Sequence, residues 1–229
     1  MTRVRRGLAA LAIALFGALL PTNAHAASIE PGDAISSGDE GCTAGFVATS
    51  NTGDTFVLTA AHCVKVPASV QLATDGAVFG DAVAEGSPAD VPAPADDWAL
   101  IKVRPGFVSS VAAGVRGTPN TPVGVATAGE TSAGDLIKHS GYGVPWLLTN
   151  VTREQRYGVL MQQTESTWES IGPDTYGDSG GPVVHVATGK ALGLVAQLCD
   201  GLCTSTGPTI EGILVRAAEA GYVLTLRTG

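Results

Sequence analysis

Ser179 lies in Gly177-Asp178-Ser179-Gly180-Gly181-Pro182, a setting in which a serine hydroxyl can become a nucleophile. A hydroxyl attacks a carbonyl only when a base takes its proton and N–H donors wait for the oxyanion. The glycines permit a tight turn whose backbone N–H groups at Gly177 and Ser179 would face one point. Thr59-Ala60-Ala61-His62-Cys63 offers the base, His62, pinned by a neighbouring cysteine. The remaining need is a carboxylate buried beside the imidazole. Asp97 opens the apolar run Asp97-Trp98-Ala99-Leu100-Ile101, which would carry it inside.

The order of these residues along the chain is itself informative. Gly177-x-Ser179-x-Gly181 formally matches the nucleophile elbow of α/β-hydrolases, but that fold runs Ser, then acid, then His. Only His185 follows Ser179, six residues on and inside an apolar run, too close for the separate loop that fold requires. An Asp–His–Ser order would need a suitable Asp ahead of His62, and none stands out. The order His, Asp, Ser remains.

These three segments closely resemble the chymotrypsin-like serine proteases, which carry T-A-A-H-C, D-x-A-L-[IL] and G-D-S-G-G-P in that order. The resemblance extends through Ile29 to Ile35, Cys42 to Phe46 and the C-terminal helix and strand, where it is nearest the secreted bacterial streptogrisin and α-lytic-protease branch. It implies an all-β fold of two six-stranded antiparallel barrels with a short C-terminal helix. Residues 28–115 would carry His62 and Asp97, residues 116–229 would carry Ser179, and the site would lie in the crevice between. It also implies catalysis by His62, Asp97 and Ser179 on protein or peptide substrates, with Gly177 and Ser179 N–H groups as the oxyanion hole. The pattern places the acid immediately before the apolar triplet, which selects Asp97 over Asp96. His139 and His185 lack the frame of His62 and are expected to be structural.

The elements that must position these groups are read from period-two and β-branched runs. Strands are expected over Gly45–Ala48, Thr55–Thr59, Val70–Leu72, Ala99–Val103, Val123–Ala126, Gly158–Gln162, Pro182–Val186, Ala191–Gln197 and Ile210–Ile213. A helix is expected over Leu214–Ala220 with Gly221 as its cap, then a closing strand from Tyr222 to Leu226. Pro105 to Pro122 reads as the linker between halves.

The N-terminus carries a targeting signal. Arg3, Arg5 and Arg6 precede an apolar run from Leu8 to Leu20, and Ala24-His25-Ala26 is an A-x-A cleavage signal, so residues 1–27 are expected to be removed on export. That run is too short for a comfortable membrane span. Without the three arginines, 10 basic residues face 21 acidic ones, a net charge near −11 that argues against nucleic acid or anionic membrane as partners. A secreted monomer without cofactor or metal is expected. Export makes the four cysteines disulfide candidates. The resemblance pairs Cys42 with Cys63, leaving Cys199 with Cys203. A zinc site at His62 and Cys63 lacks further ligands at the right spacing.

Specificity is less legible. The resemblance places the primary pocket among Asp174, Tyr176, Ala196, Gln197 and Leu198. Asp174 there would favour a basic side chain, or would only form a turn after Pro173. Leu198 stands where the family has a glycine and would narrow the pocket. Ala196 lacks a hydroxyl that normally bonds the catalytic Asp. Glu165 to Glu169, around Trp168, would form a rim subsite or a solvated loop. Asp178 needs a cation if it is buried, and Lys138, in Leu136-Ile137-Lys138-His139, is expected to supply it. No Arg or Lys lies between Ala27 and His62, so tryptic activation is not expected. Asn150-Val151-Thr152 fits the N-glycosylation pattern. The rival readings are a non-catalytic binding protein on the same scaffold and an esterase-like hydrolase.

Overall fold

Short apolar runs build two antiparallel sheets, several of whose strands are buried on both faces. The computed structural model describes residues 28–117, 121–143, 156–199 and 203–229. The expected signal segment and the Asn150 glycosylation pattern therefore lie outside the described residues. The first sheet contains β1 (Ala34–Ser37), β2 (Glu40–Thr43), β3 (Val47–Ser50), β4 (Thr55–Thr59), β5 (Ala68–Leu72), β6 (Val78–Glu85) and β7 (Ala99–Val103). The second contains β8 (Leu136–His139), β9 (Arg156–Gln163), β10 (Thr167–Ile171), β11 (Pro182–His185), β12 (Ala191–Leu194) and β13 (Ser205–Pro208). A helix, α1 (Ile210–Glu219), follows, and β14 (Leu224–Leu226) ends the chain. Strand order is β14-β3-β4-β7-β6-β5-β1-β2 in one sheet and β12-β11-β8-β9-β10-β13 in the other.

This is the chymotrypsin-like all-β fold, with eight strands in place of six in the first sheet. β2 folds back on β1, and β14 returns from the far end of the chain to pair with β3. Several expected strands need correction, and those expected over Ala191–Gln197 and Tyr222–Leu226 are shorter, Ala191–Leu194 and Leu224–Leu226. Ile210–Ile213 is the first turn of α1, because Thr209 accepts a hydrogen bond from Gly212 N–H at 3.0 Å and caps the helix. Ile210, Ile213 and Ala217 then form its buried stripe. Val123–Ala126 makes only an isolated bridge, Val125 to Ala191. The strand expected from Gly45 begins at Val47. Thr55–Thr59 and Ala99–Val103 stand as expected.

The buried core has three parts. Ile35, Val57, Val70, Phe79 and Ile101 fill the first sheet, and Ile137, Leu160, Trp168, Val183 and Leu192 fill the second. Between them, Phe46, Phe56 and Leu58 meet Val184, Leu194, Ile213 and Leu226, so the sheets and α1 share one apolar joint. Both disulfides form: Cys42–Cys63 joins β2 to the segment after β4, and Cys199 pairs with Cys203. Among the described residues no helix is long and apolar enough to cross a membrane.

Candidate active site

β4 and β7 are antiparallel neighbours with Thr59 opposite Ala99. The end of one and the start of the other therefore meet at the same edge of the sheet. The chain leaving β4 makes a 3-10 turn, Ala61–Cys63, that carries His62, and the chain entering β7 brings Asp97 to it. Asp97 is fully buried. Its Oδ1 accepts the backbone N–H of His62 at 3.1 Å and its Oδ2 lies 2.8 Å from His62 Nδ1. An ionised carboxylate is acceptor-only, so Nδ1 carries the proton and Nε2 is left as a base. Asp96 is elsewhere, on the surface, 3.2 Å from Arg216 Nε.

Ser179 comes from the second sheet, in the turn before β11. Gly177 and Gly180 have φ values of +96° and +86°, left-handed conformations that favour glycine. A Cβ on Gly180 would come within 2.1 Å of Thr59 Oγ1 and 2.4 Å of the Thr43 carbonyl, so the turn and the first sheet touch there. Thr43 braces it: Thr43 N–H donates to Ser179 O at 2.8 Å, and Thr43 Oγ1 donates to Gly177 O at 2.7 Å. Within the turn, Asp178 N–H donates to Thr175 O, Gly180 N–H to Val195 O and Gly181 N–H to Asp178 O. Among the described residues, the N–H groups of Gly177 and Ser179 are committed to no other group.

Asp178 is fully buried, and its cation is Arg156, not Lys138. Arg156 Nη1 donates to Asp178 Oδ2 at 2.5 Å while Nη2 closes a second, very short contact to Oδ1. Gly143 N–H and Thr175 N–H complete the carboxylate at 2.9 and 2.8 Å. The expected Lys138 pairing fails for a reason of register. β8 pairs with β9 so that His139 faces Arg156 and Lys138 faces Tyr157, and alternate residues point to opposite faces. His139 and Arg156 are buried, whereas Lys138 is only half-buried and Tyr157 is exposed.

The same face carries a second buried pair, with His139 Nε2 2.7 Å from Asp174 Oδ1 and both side chains 1% exposed. The Asp174 charge is thus committed inward, to His139, though the residue lines the cleft. Burial pushes the Asp174 carboxyl up, but His139, Ser205 and Arg156 outweigh it and hold the group below the usual carboxylate range. A carboxyl with a depressed folded value stabilises the fold above its unfolded value near pH 4, and that contribution is lost as pH falls through the folded value. The melting-temperature advantage of wild type over Asp174→Asn should therefore be full at pH 5 and shrink below about pH 4. An unchanged difference across that window would remove Asp174 from acid unfolding. His185 is also internal, held by Thr188 and Asp135 at 2.9 and 3.2 Å.

His62 and Ser179 line one cleft of about 560 Å³, within the range of ligand pockets. Tyr176, Gln197 and Leu198 line it too, as do Asp90 to Pro92. Leu198 and Tyr176, 54% and 90% exposed, stand at the rim and do not fill the cleft. A second groove, reaching from Ser37 and Glu40 past Lys65 to Glu85, meets the first at His62. Glu169 is on β10 and Trp168 is buried in the core of the second sheet, so Trp168 forms no rim subsite. Thr43 and Arg156 had no local signal in the sequence, since each acts on residues far along the chain.

The fold and this cleft define a serine peptidase of the chymotrypsin-like class. The trypsin family model matches residues 29–210, and the chain belongs to that family, as a serine endopeptidase. Among solved structures it is similar to Thermobifida fusca protease A, at 17% identity and a TM-score of 0.62 over 89% of this chain and 100% of that one. It is also similar to a Nocardiopsis protease, at 19% identity and 0.60 over 88% and 100%. A glutamic acid-specific serine protease matches at 21% and 0.61 over 87% and 100%. No curated protein sequence matches it.

Proposed function

We propose that the chain is an exported serine endopeptidase whose Ser179 attacks peptide carbonyls with His62 as general base and Asp97 as its orienter. His62 Nε2 takes the Ser179 proton as the Oγ–carbonyl bond forms, then gives it to the leaving amine as the peptide bond breaks. Water repeats the sequence on the resulting acyl-enzyme and releases the acid. Asp97 holds the tautomer and the imidazolium, while Gly177 and Ser179 N–H groups receive the oxyanion. The observation that carries this reading is the pair of uncommitted N–H groups in a turn whose other donors are spent, opening on the cleft that His62 lines.

Two grooves meeting at His62 suit an extended substrate lying on both sides of the scissile bond. The apolar rim of Val91, Tyr176 and Leu198, with Asp174 turned to His139, suits an apolar side chain better than a basic one. Removal of residues 1–27 and two disulfides fit passage to an oxidising compartment. A fluorophosphonate should add once to the exported protein and not to Ser179→Ala, as read by intact mass. The same spectrum reports the N-terminus left by processing. A correctly folded, processed wild type that takes no adduct would overturn the assignment.

A further inference from the structure

Asp97 is wholly buried, and His62 supplies two of its hydrogen bonds. Oδ2 has one more donor among the described residues, Gln197 Nε2 at 3.5 Å. The same Nε2 also donates to the Pro92 carbonyl. Both partners are acceptors with no proton to give, so only the NH₂ end of the amide can face them. Its two protons are both used, one on the loop and one on the acid. The backbone of Gln197 is equally fixed: its N–H donates to Thr206 O at 3.0 Å, and Thr206 N–H donates to its carbonyl at 2.9 Å. Ala196, one residue earlier, carries no polar side chain.

We propose that Gln197 is a positioning residue, whose amide holds the Asp97 carboxylate and the 90–92 segment in one arrangement and so sets how strongly Asp97 acts on His62. This rests on the reading of His62, Asp97 and Ser179 given under Proposed function. Sharing Oδ2 with Gln197 draws charge away from the imidazole. Losing the amide concentrates that charge on His62 and favours its protonated form. The other charged groups on the grooves beside His62 are Glu40, Glu85, Asp90, Asp174 and Lys65, with Lys65 paired to Asp90 and Asp174 to His139, and none is altered by a change at Gln197.

The test uses the full exported protein as wild type, Gln197→Met, which keeps length without donors, and Gln197→Glu, which keeps shape and adds charge. Each is followed by kcat and KM on peptides against pH, and by an NMR titration of His62 in a Ser179→Ala background. For Gln197→Met, kcat should fall about three- to tenfold with KM and side-chain preference kept, the scale of one hydrogen bond. The acid limb of the rate profile and the His62 midpoint should both move up by about half a pH unit. Gln197→Glu sets its added charge against two acceptors, Asp97 Oδ2 and the Pro92 carbonyl, so the carboxyl must turn away or take up a proton, and kcat should fall at least as far as with Gln197→Met. Altered KM or side-chain preference with an unmoved His62 midpoint would make Gln197 a pocket wall only and overturn the proposal. No change in any of these would overturn it as well. A wild type that hydrolyses nothing and takes no fluorophosphonate defeats the reading of Ser179 instead, and the His62 titration still decides the role of Gln197.

Discussion

Asp97→Asn should lower kcat on the order of ten-thousandfold while leaving KM and melting temperature close to wild type. The two carboxylate oxygens decide this. Oδ1 takes the backbone N–H of His62 and Oδ2 takes Nδ1–H. An amide has one acceptor and one donor end, so one of these contacts must become donor against donor. The backbone N–H cannot change its proton, but the ring can. The amide oxygen will therefore keep the backbone contact, the NH₂ will face Nδ1, and the ring proton will move to Nε2. His62 then points a donor toward Ser179 and cannot act as its base. Steady-state kinetics on a peptide substrate checks this. A loss under tenfold would mean that Asp97 orients nothing that matters to the chemistry.

Arg156→Met is expected to be the most destabilising change in the molecule. It leaves the fully buried Asp178 carboxylate with two backbone N–H groups and no cation. Breaking a buried pair from one side typically costs about 3–5 kcal/mol. For a domain of this size that corresponds to a melting temperature lower by on the order of 10 °C. Activity should fall with it, because Asp178 lies between Gly177 and Ser179, the two residues proposed to receive the oxyanion. Arg156→Lys keeps the charge but loses the planar fork, and should fall between the two. The double variant Arg156→Met, Asp178→Asn should recover part of the loss, since it removes the stranded charge. Thermal melts of the three variants decide the matter. A single variant within about 2 °C of wild type would show that Asp178 finds another partner.

The sequence carried the parts of the site that are local. His62, Asp97 and Ser179 each sit in a short segment whose neighbours prescribe its surroundings: a strand end before the histidine, an apolar strand after the acid, glycines around the serine. What holds those segments together is set by strand register, which no single segment records. Lys138 and Arg156 illustrate the difference. Both lie on the β8–β9 hairpin, but a side chain alternates faces with every residue, and only the pairing of His139 with Arg156 decides which cation turns inward. Gln197 is similar, since its reach to Asp97 depends on how the second sheet leans on the first. Ile210–Ile213 was misleading for another reason. Ile210-Glu211-Gly212-Ile213 is too short for the spacing of its two isoleucines to separate strand from helix, and the cap at Thr209 tips it.

β14 gives the chain an order of completion. Its partner β3 is among the first segments made, while β14 itself is the last strand. The sheet that presents His62 and Asp97 therefore lacks a partner for β3 until residues 224–226 have been made, after the whole of the half bearing Ser179. The half bearing His62 and Asp97 cannot reach its finished state ahead of the half bearing Ser179. A chain cut short before Leu224 is in this sense an unfinished scaffold, however complete the segments that carry His62, Asp97 and Ser179.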